Sequence, residues 1–338
     1  VEILISGIKI LIVFAGLLTT AAYSVLAERK IAAWMQNRIG PNRVGWKGMM
    51  QPVADLIKLI VKEDIVPRAA NRFVHDLAPM ISVGVAMITF AVIPFGDHIV
   101  LFGRDIKLQI ASVNIGILYI LAFSSLAVYG ITLSGWSSNN KYSMLGGLRS
   151  SAQMISYELS MGISIVGVIM VAGSLQLDKI VEMQHGWRWN ILLQPIGFIT
   201  FVVASFAETN RVPFDLPEAE PELVGGYHTE YSGLKFGLFF LSEYINMAVA
   251  SALIVTLYLG GWQVPGLSHL GLAPLAVSLI QVAAFVVKVV CLIVFFILVR
   301  WTLPRFRYDQ LMYLGWKVML PLSVLNILLT GAVILALQ

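Results

Sequence analysis

Glu208, Asp215, Glu218, Glu220, Glu222 and Glu230 share one stretch, ETNRVPFDLPEAEPELVGGYHTE, in a chain that holds only 19 acidic residues. Carboxyl groups that crowd together out of bulk water raise one another's proton affinity toward neutrality, which suits a proton relay. A merely solvated loop fits the stretch poorly. Phe214, Leu216, Leu223, Val224, Tyr227 and Tyr231 are interleaved with the acids, and Pro213, Pro217 and Pro221 stiffen it. Glu218 and Glu222 are four apart and would share a helix face. His228 is the one histidine inside the acid loop, a candidate for a proton or ligand role.

Three further ionisable residues fall inside apolar runs: Glu158 in QMISYELSMG, Glu243 in FFLSEYINMA and Lys288 in FVVKVVCLIV. A charge at membrane depth costs at least a few kcal/mol, so each must face a partner, a cavity or water. For Lys288 a structural ion pair is as good a reading as a functional one. The loop acids should lie at the same membrane face as Glu158 and Glu243, Glu208 closes one apolar run and Glu28 another. The expectation is a polar path that feeds carboxylates from the loop into the membrane domain. Other chemistry is poorly served. The lone Cys291 rules out a disulfide framework or thiolate cluster built by this chain alone. There is no CxxC pair, GxGxxG fingerprint, Walker loop or HExxH, and the five histidines lack metal-ligand spacing.

These groups must be positioned by membrane-spanning helices. The chain is 58% hydrophobic and 12% charged, about half the usual charged share for a globular protein. A spanning helix needs roughly 20 apolar residues. Such runs lie near 3–27, 77–96, 114–136, 151–173, 191–207, 236–260, 275–300 and 315–337. The first lacks a basic start and a small-residue cleavage site, so it reads as a span rather than a signal peptide. The fold class expected is therefore an all-α integral membrane protein. It is one polytopic domain over 1–338, with eight transmembrane helices and amphipathic interfacial helices in the loops. Sixteen Lys and Arg fall in loops after odd-numbered spans and four in loops after even-numbered ones. Odd loops should thus face the cytoplasm or matrix, with both termini opposite. The basic residues lie beside spans, which argues against a nucleic-acid partner. The 28–76 loop contains QPVADLIKLIVKED, where Val53, Leu56, Ile57, Ile60 and Val61 form one helical stripe. That pattern suits a helix in the membrane interface or one roofing a cavity against the bundle. The second distinctive loop is the acid-rich 208–235.

Taken together, AERK (27–30), NRIGPNRVG (37–45), QPVADLIKL (51–59), SYE (156–158), AETNRVPFDLPEAE (207–220), EYSG (230–233) and PRFRYDQLM (304–312) resemble the H-subunit family of respiratory NADH:quinone oxidoreductase, complex I. The similarity covers nearly the whole chain. It implies a heel subunit that joins a peripheral electron-transfer arm to a proton-pumping membrane arm and is not active alone. It further implies a quinone chamber lined or braced by Glu28, Arg29, Arg38, Asp55, Lys58, Tyr244, Arg300 and Arg305. Glu208, Glu218, Glu220, Glu222, Glu243 and Glu158 would form the acidic path from chamber to membrane interior. No cofactor would be bound by this chain. The resemblance implies that quinone would be the substrate and that FMN and iron–sulfur clusters would sit in partner subunits. Expected partners are the peripheral quinone-site and iron–sulfur subunits, small neighbouring membrane subunits and lipid, in a bacterial inner membrane or a mitochondrial one. The chain departs from the family pattern at Pro221 and at Gly225-Gly226, both in the acid loop. The residues alone leave alternatives open: a secondary transporter with a midplane site, the equivalent subunit of a proton-pumping hydrogenase or formate hydrogenlyase, or a structural anchor.

Overall fold

The computed structural model describes residues 2–101, 104–216, 223–267 and 273–337. With no water in a bilayer core to satisfy peptide groups, the backbone must close its own hydrogen bonds, and helices do this within one segment. The helices are α1 (Glu2–Met35), α2 (Gln51–Val61), α3 (Arg72–Thr89), α4 (Gly116–Ser137), α5 (Lys141–Ala172), α6 (Leu177–Met183) and α7 (Asn190–Leu193). They continue with α8 (Pro195–Glu208), α9 (Gly233–Tyr258), α10 (Pro274–Thr302), α11 (Tyr308–Tyr313) and α12 (Leu320–Leu337). A π-helical turn, Leu314–Met319, joins the last two. A two-stranded antiparallel hairpin, β1 (His98–Leu101) and β2 (Arg104–Lys107), is an addition to the all-α expectation.

Among the described residues, 7 helices are long and apolar enough to cross a membrane, and they match seven of the eight expected segments. The segment expected at 191–207 instead holds α7, a break at Gln194 and the 14-residue α8. At about 1.5 Å per residue α8 covers about 21 Å. Pro195 sets its first turn, where a missing N–H costs nothing. Polar contacts fix α8 antiparallel to α5. At one end Gln194 Nε2 donates to the Gly167 carbonyl (2.7 Å); at the other Gln153 Nε2 donates to the Ala207 carbonyl (2.8 Å).

Helix ends also differ from the apolar runs, because a helix persists past its membrane stretch when its next residues have partners. α1 continues through Met35, so Glu28 and Arg29 stand on a helix and not in a loop. α5 starts at Lys141, where Asn140 accepts from the Tyr142 N–H and caps the helix. α9 is the most buried span. It packs against α1, α3 and α10, while α5 packs on α4, α8 and α12. Both ends of α9 are held by charge. Lys235 bridges Asp64 (2.7 Å) and Asp76, near its start. At its far end Lys288, from α10, donates to the carbonyls of Leu259, Gly261 and Gln263 at 2.8 to 3.0 Å. It also lies 4.6 Å over the Trp189 ring. Lys288 is thus not in an ion pair among the described residues. The carbonyls left free where a helix ends, and the negative end of its dipole, take the place of a carboxylate.

One close approach couples the acid loop to the bundle. A Cβ at Gly146 of α5 would lie 2.7 Å from the Gly226 Cα and the Tyr227 nitrogen, both backbone atoms. Gly146→Ala should therefore push the 226–228 turn off α5 and cost about 1–3 kcal/mol through overpacking. A lowered melting temperature and faster proteolysis between 209 and 232 in the assembled protein would report it. Unchanged values would show that the turn is not seated on Gly146.

A buried arginine–carboxylate cluster as the candidate functional site

Glu28 lies on the last third of α1 and is buried. Its Oε2 accepts from Arg211 Nη1 (2.8 Å) and from the Tyr244 hydroxyl (2.8 Å), and its Oε1 accepts from Arg300 Nη1. Arg211 is only 1% exposed. Its Nε lies 2.7 Å from Glu243 Oε1, an ion pair outside good hydrogen-bonding angles. Its guanidinium carbon sits 4.2 Å over the Tyr244 ring. Burial by itself would lower the Arg211 pKa, but Glu243 and then Glu28 outweigh burial and hold it above its ordinary value. Arg211 therefore carries a permanent positive charge shared by two carboxylates from different helices.

Next to this group Arg305 Nη2 holds Asp215 Oδ2 at 3.0 Å. Burial pushes the Asp215 carboxyl up to about 6. Arg305 and Arg300 oppose the rise, and Glu243 adds to it. The segment 209–216 that carries Arg211 and Asp215 is not helical, yet nearly all of it is buried. Buried irregular backbone must find partners for its peptide groups outside any helix ladder. Gln153 of α5 secures it: Nε2 lies within hydrogen-bonding distance of the Ala207 carbonyl (2.8 Å), Asn210 Oδ1 (3.0 Å) and the Phe214 carbonyl (2.9 Å). Asn210 in turn donates to Ser150 Oγ (3.0 Å). Downstream, Asn140 binds Glu230, and the Tyr231 ring stacks on His75 with centroids 3.9 Å apart. His228 is held neutral, its pKa lowered to about 4 by burial.

Two adjoining cavities, about 40 and 20 Å³, open beside the cluster. Glu243 lines the smaller, and Glu208 lines both. Glu208 is partly accessible, but toward this internal space. Glu158 is near enough to Glu208 to act on it electrostatically, and it accepts from Ser125 Oγ at 2.6 Å. Among the described residues neither Glu208 nor Glu158 touches a basic side chain, in contrast to Glu28 and Glu243.

Of the residues singled out from sequence, Glu28, Tyr244, Arg300, Arg305, Glu243, Glu208 and Glu158 thus gather around the cluster and its cavities. Arg29 pairs with Asp55 (2.7 Å), which also accepts from Gln51 (3.0 Å), so this pair bridges α1 and α2. Arg38 bonds Gln36 (2.7 Å) in the exposed turn after α1, and Lys58 is exposed on α2; neither enters the cluster. Val53, Leu56, Ile57, Ile60 and Val61 are all exposed, so the stripe of α2 points away from the bundle. Glu218, Glu220 and Glu222 lie outside the described residues. Asp215 stood out only as one of the loop acids, and Arg211 and Gln153 were not singled out as site residues. A signal for Arg211 exists: it is the only Lys or Arg between 208 and 230. Nothing in the sequence marks Gln153.

The family model described as NADH dehydrogenase matches residues 8–331. The chain is 48% identical to the H subunit of NADH-quinone oxidoreductase from Flavobacterium johnsoniae, covering 97% of this chain and 95% of that relative. It is 54% identical to the H subunit of NADH-quinone oxidoreductase from Syntrophotalea carbinolica, covering 96% and 94%. With NADH-quinone oxidoreductase subunit 8 of Rhodothermus marinus it shares 54% identity over 94% of each chain.

Two outcomes test the cluster itself. Arg211→Met removes the only charge between two buried carboxylates and should cost about 3–5 kcal/mol. Arg300→Met acts on a group 28% exposed and should cost less. The yield and melting temperature of the assembled complex would rank them; equal losses would refute a cluster centred on Arg211. Asp215 gives a pH test. Its folded pKa, about 6, is above the ordinary carboxylate value, so its contribution to stability is full below about 4 and lost as pH rises through about 6. Asp215→Asn should therefore flatten the fall in melting temperature between about pH 4 and 7. An unaltered slope would mean that Asp215 does not titrate there.

Proposed function

The chain belongs to the NADH dehydrogenase family, among the H-type membrane subunits of NADH–quinone oxidoreductase, and from that premise we propose that its buried cluster couples quinone chemistry to proton movement. It is a multi-pass subunit of an oxidoreductase complex, so other complex I subunits are its partners. Within that assembly the proposed role is twofold. The chain forms much of a quinone chamber on the basic side of the membrane, and it links that chamber to a path of carboxylates.

The observation that carries the reading is the chain of contacts Arg300–Glu28–Arg211–Glu243, which ends on a cavity shared with Glu208. A quinone reduced by two electrons gains negative charge and needs cations and protons. Arg300 and Arg305 stand at the partly exposed edge of the cluster, where they would meet such a headgroup, with Arg29, Arg38, Asp55 and Lys58 along the approach. Negative charge arriving beside Arg300 competes with Glu28 for that guanidinium. Glu28 then relies more on Arg211, which loosens the hold of Arg211 on Glu243. Glu243 becomes a better proton acceptor and draws a proton through the cavity from Glu208 and, behind it, Glu158. Glu218, Glu220 and Glu222 would feed the same path from the loop. FMN and iron–sulfur centres in partner subunits would supply the electrons, and this chain would hold no cofactor.

We read α8 as the remaining membrane crossing, giving eight, with the buried 209–216 segment at its basic-side end. The antiparallel contacts of α8 with α5 support this, and so does the gathering of the ends of α1, α8 and α10 with the start of α9 in one cluster. A transporter reading is less well supported, because α9 runs unbroken through Glu243 and Tyr244. The bacterial relatives favour the bacterial inner membrane, with the basic loops in the cytoplasm.

The experiment compares NADH:quinone turnover, proton uptake into vesicles and ferricyanide reduction, which bypasses the chamber. Glu158→Gln and Glu208→Gln should each lower quinone turnover and proton yield about tenfold while ferricyanide reduction holds. Arg300→Met should lower quinone turnover alone among the two electron-transfer assays. Wild-type turnover and proton yield in the glutamine variants would show that these carboxylates are not the path.

A further inference from the structure

The two cavities meet at a wall that contains a polar residue with no part in the cluster. Asn246 lies one helical turn beyond Glu243 on the same face of α9, and it lines both cavities, as Glu208 does. Most other hydroxyls on these walls have their protons committed. Ser82, Thr89, Ser124, Ser205, Thr209 and Ser242 each donate a hydroxyl to a main-chain carbonyl of their own helix or the helix end before them. Asn210 spends its amide on Ser150 and its carbonyl on Gln153. The Asn246 side chain makes no hydrogen bond to another described residue, so its two donors and its acceptor face the cavity junction.

We propose that Asn246 is the positioning residue of that junction, holding the water or carboxyl hydrogen bonds through which Glu243 and Glu208 exchange a proton. The inference rests on the carboxylate path proposed above. Its physical basis is the choice of side chain. An amide can donate to a carboxylate and accept from water or from a protonated carboxyl in the same place. It carries no charge, so it neither pins the flanking acids as anions, as Lys or Arg would, nor traps the proton itself. A water in such a space needs two to four polar partners. The wall hydroxyls that give their protons to backbone carbonyls can only accept from such a water, whereas Asn246 can both donate to it and accept from it beside Glu243 and Glu208. Beyond it the wall of α9 becomes apolar: Val249, Ala250, Leu253 and Leu257 continue the same stripe along the larger cavity. The polar junction thus ends at Asn246, and protons held there are directed to Glu208 rather than along α9.

The test uses the whole assembled complex with a short-chain quinone. Asn246→Leu keeps a similar volume and removes the amide. Its kcat for quinone should fall about tenfold, with KM for quinone and ferricyanide reduction near wild type, because neither headgroup binding nor the electron path is touched. Asn246→Asp keeps the shape. When protonated it donates and accepts like the amide; when ionised it places a third negative charge between two acids. Its turnover should match wild type at acidic pH and fall progressively below it as pH rises. A merely structural asparagine would not produce that profile. Wild-type kcat in N246L, with Glu208→Gln impaired, would overturn the role of Asn246 and leave the path standing. Wild-type kcat in both would overturn the path and this inference with it. A pH profile of N246D superimposable on wild type would also overturn the assignment, including where N246L does not assemble.

Discussion

One guanidinium, Arg211, is almost wholly removed from water, and the rest of the structure answers to that fact. A lone charge in such surroundings is prohibitively expensive, and it persists only where carboxylates and hydrogen bonds replace its hydration. Glu28 and Glu243 do so from α1 and α9, and the Tyr244 ring covers the guanidinium face. Those two helices must therefore meet, with α8 ending where Arg211 can reach between them. Arg300 then neutralises the second oxygen of Glu28 from the last turn of α10. Four segments far apart in sequence are joined by one balanced group of charges.

The balance also divides the acids into two kinds. Glu28, Glu243 and Asp215 have arginine partners, and their charges are tied to the position of those arginines. Glu208 and Glu158 face a cavity and a serine hydroxyl. Under the proposed function, a proton moving among the second kind would meet no basic side chain among the described residues, while a disturbance at Arg300 would reach it through the first kind. On the proposed function, that separation would suit a coupling device: one group to sense charge at the membrane surface and another to hold exchangeable protons inside.

The bilayer sets the rest. Most of the outer surfaces of α1, α10 and α12 are apolar and exposed, as suits helices that cross a bilayer. Polar contacts between helices are placed where they fix depth and direction, as with Gln194, which bonds the Gly167 carbonyl and Thr330 while accepting from Asn326. Lys288 does the same for the end of α9 by taking three carbonyls instead of an acid. The outward stripe of α2 shows that this helix is anchored to the bundle by Arg29–Asp55 and its flanks, with its apolar face left for the surroundings.

Much of this was legible in the sequence. Composition and run length determine the membrane class and seven of the spans, because hydrophobic length is a local property that a bilayer reads directly. The loop motifs identified the family, and the misplaced charges at Glu28, Glu158, Glu208 and Glu243 pointed to the candidate site, because a carboxylate in an apolar run must find a partner, a cavity or water. The pairing could not be read. Glu28 and Arg211 are 183 positions apart, and Glu28 and Arg300 are 272 apart. No periodicity encodes which distant helices touch. The 191–207 run reads as one span, yet the helix is broken at Gln194, and past its expected end at Glu208 Gln153 and Asn210 hold the next residues in a buried, irregular path. For the same reason Arg211, which sequence alone presents as one more basic loop residue, becomes the centre of the site: tertiary packing took away its water and left two carboxylates in its place.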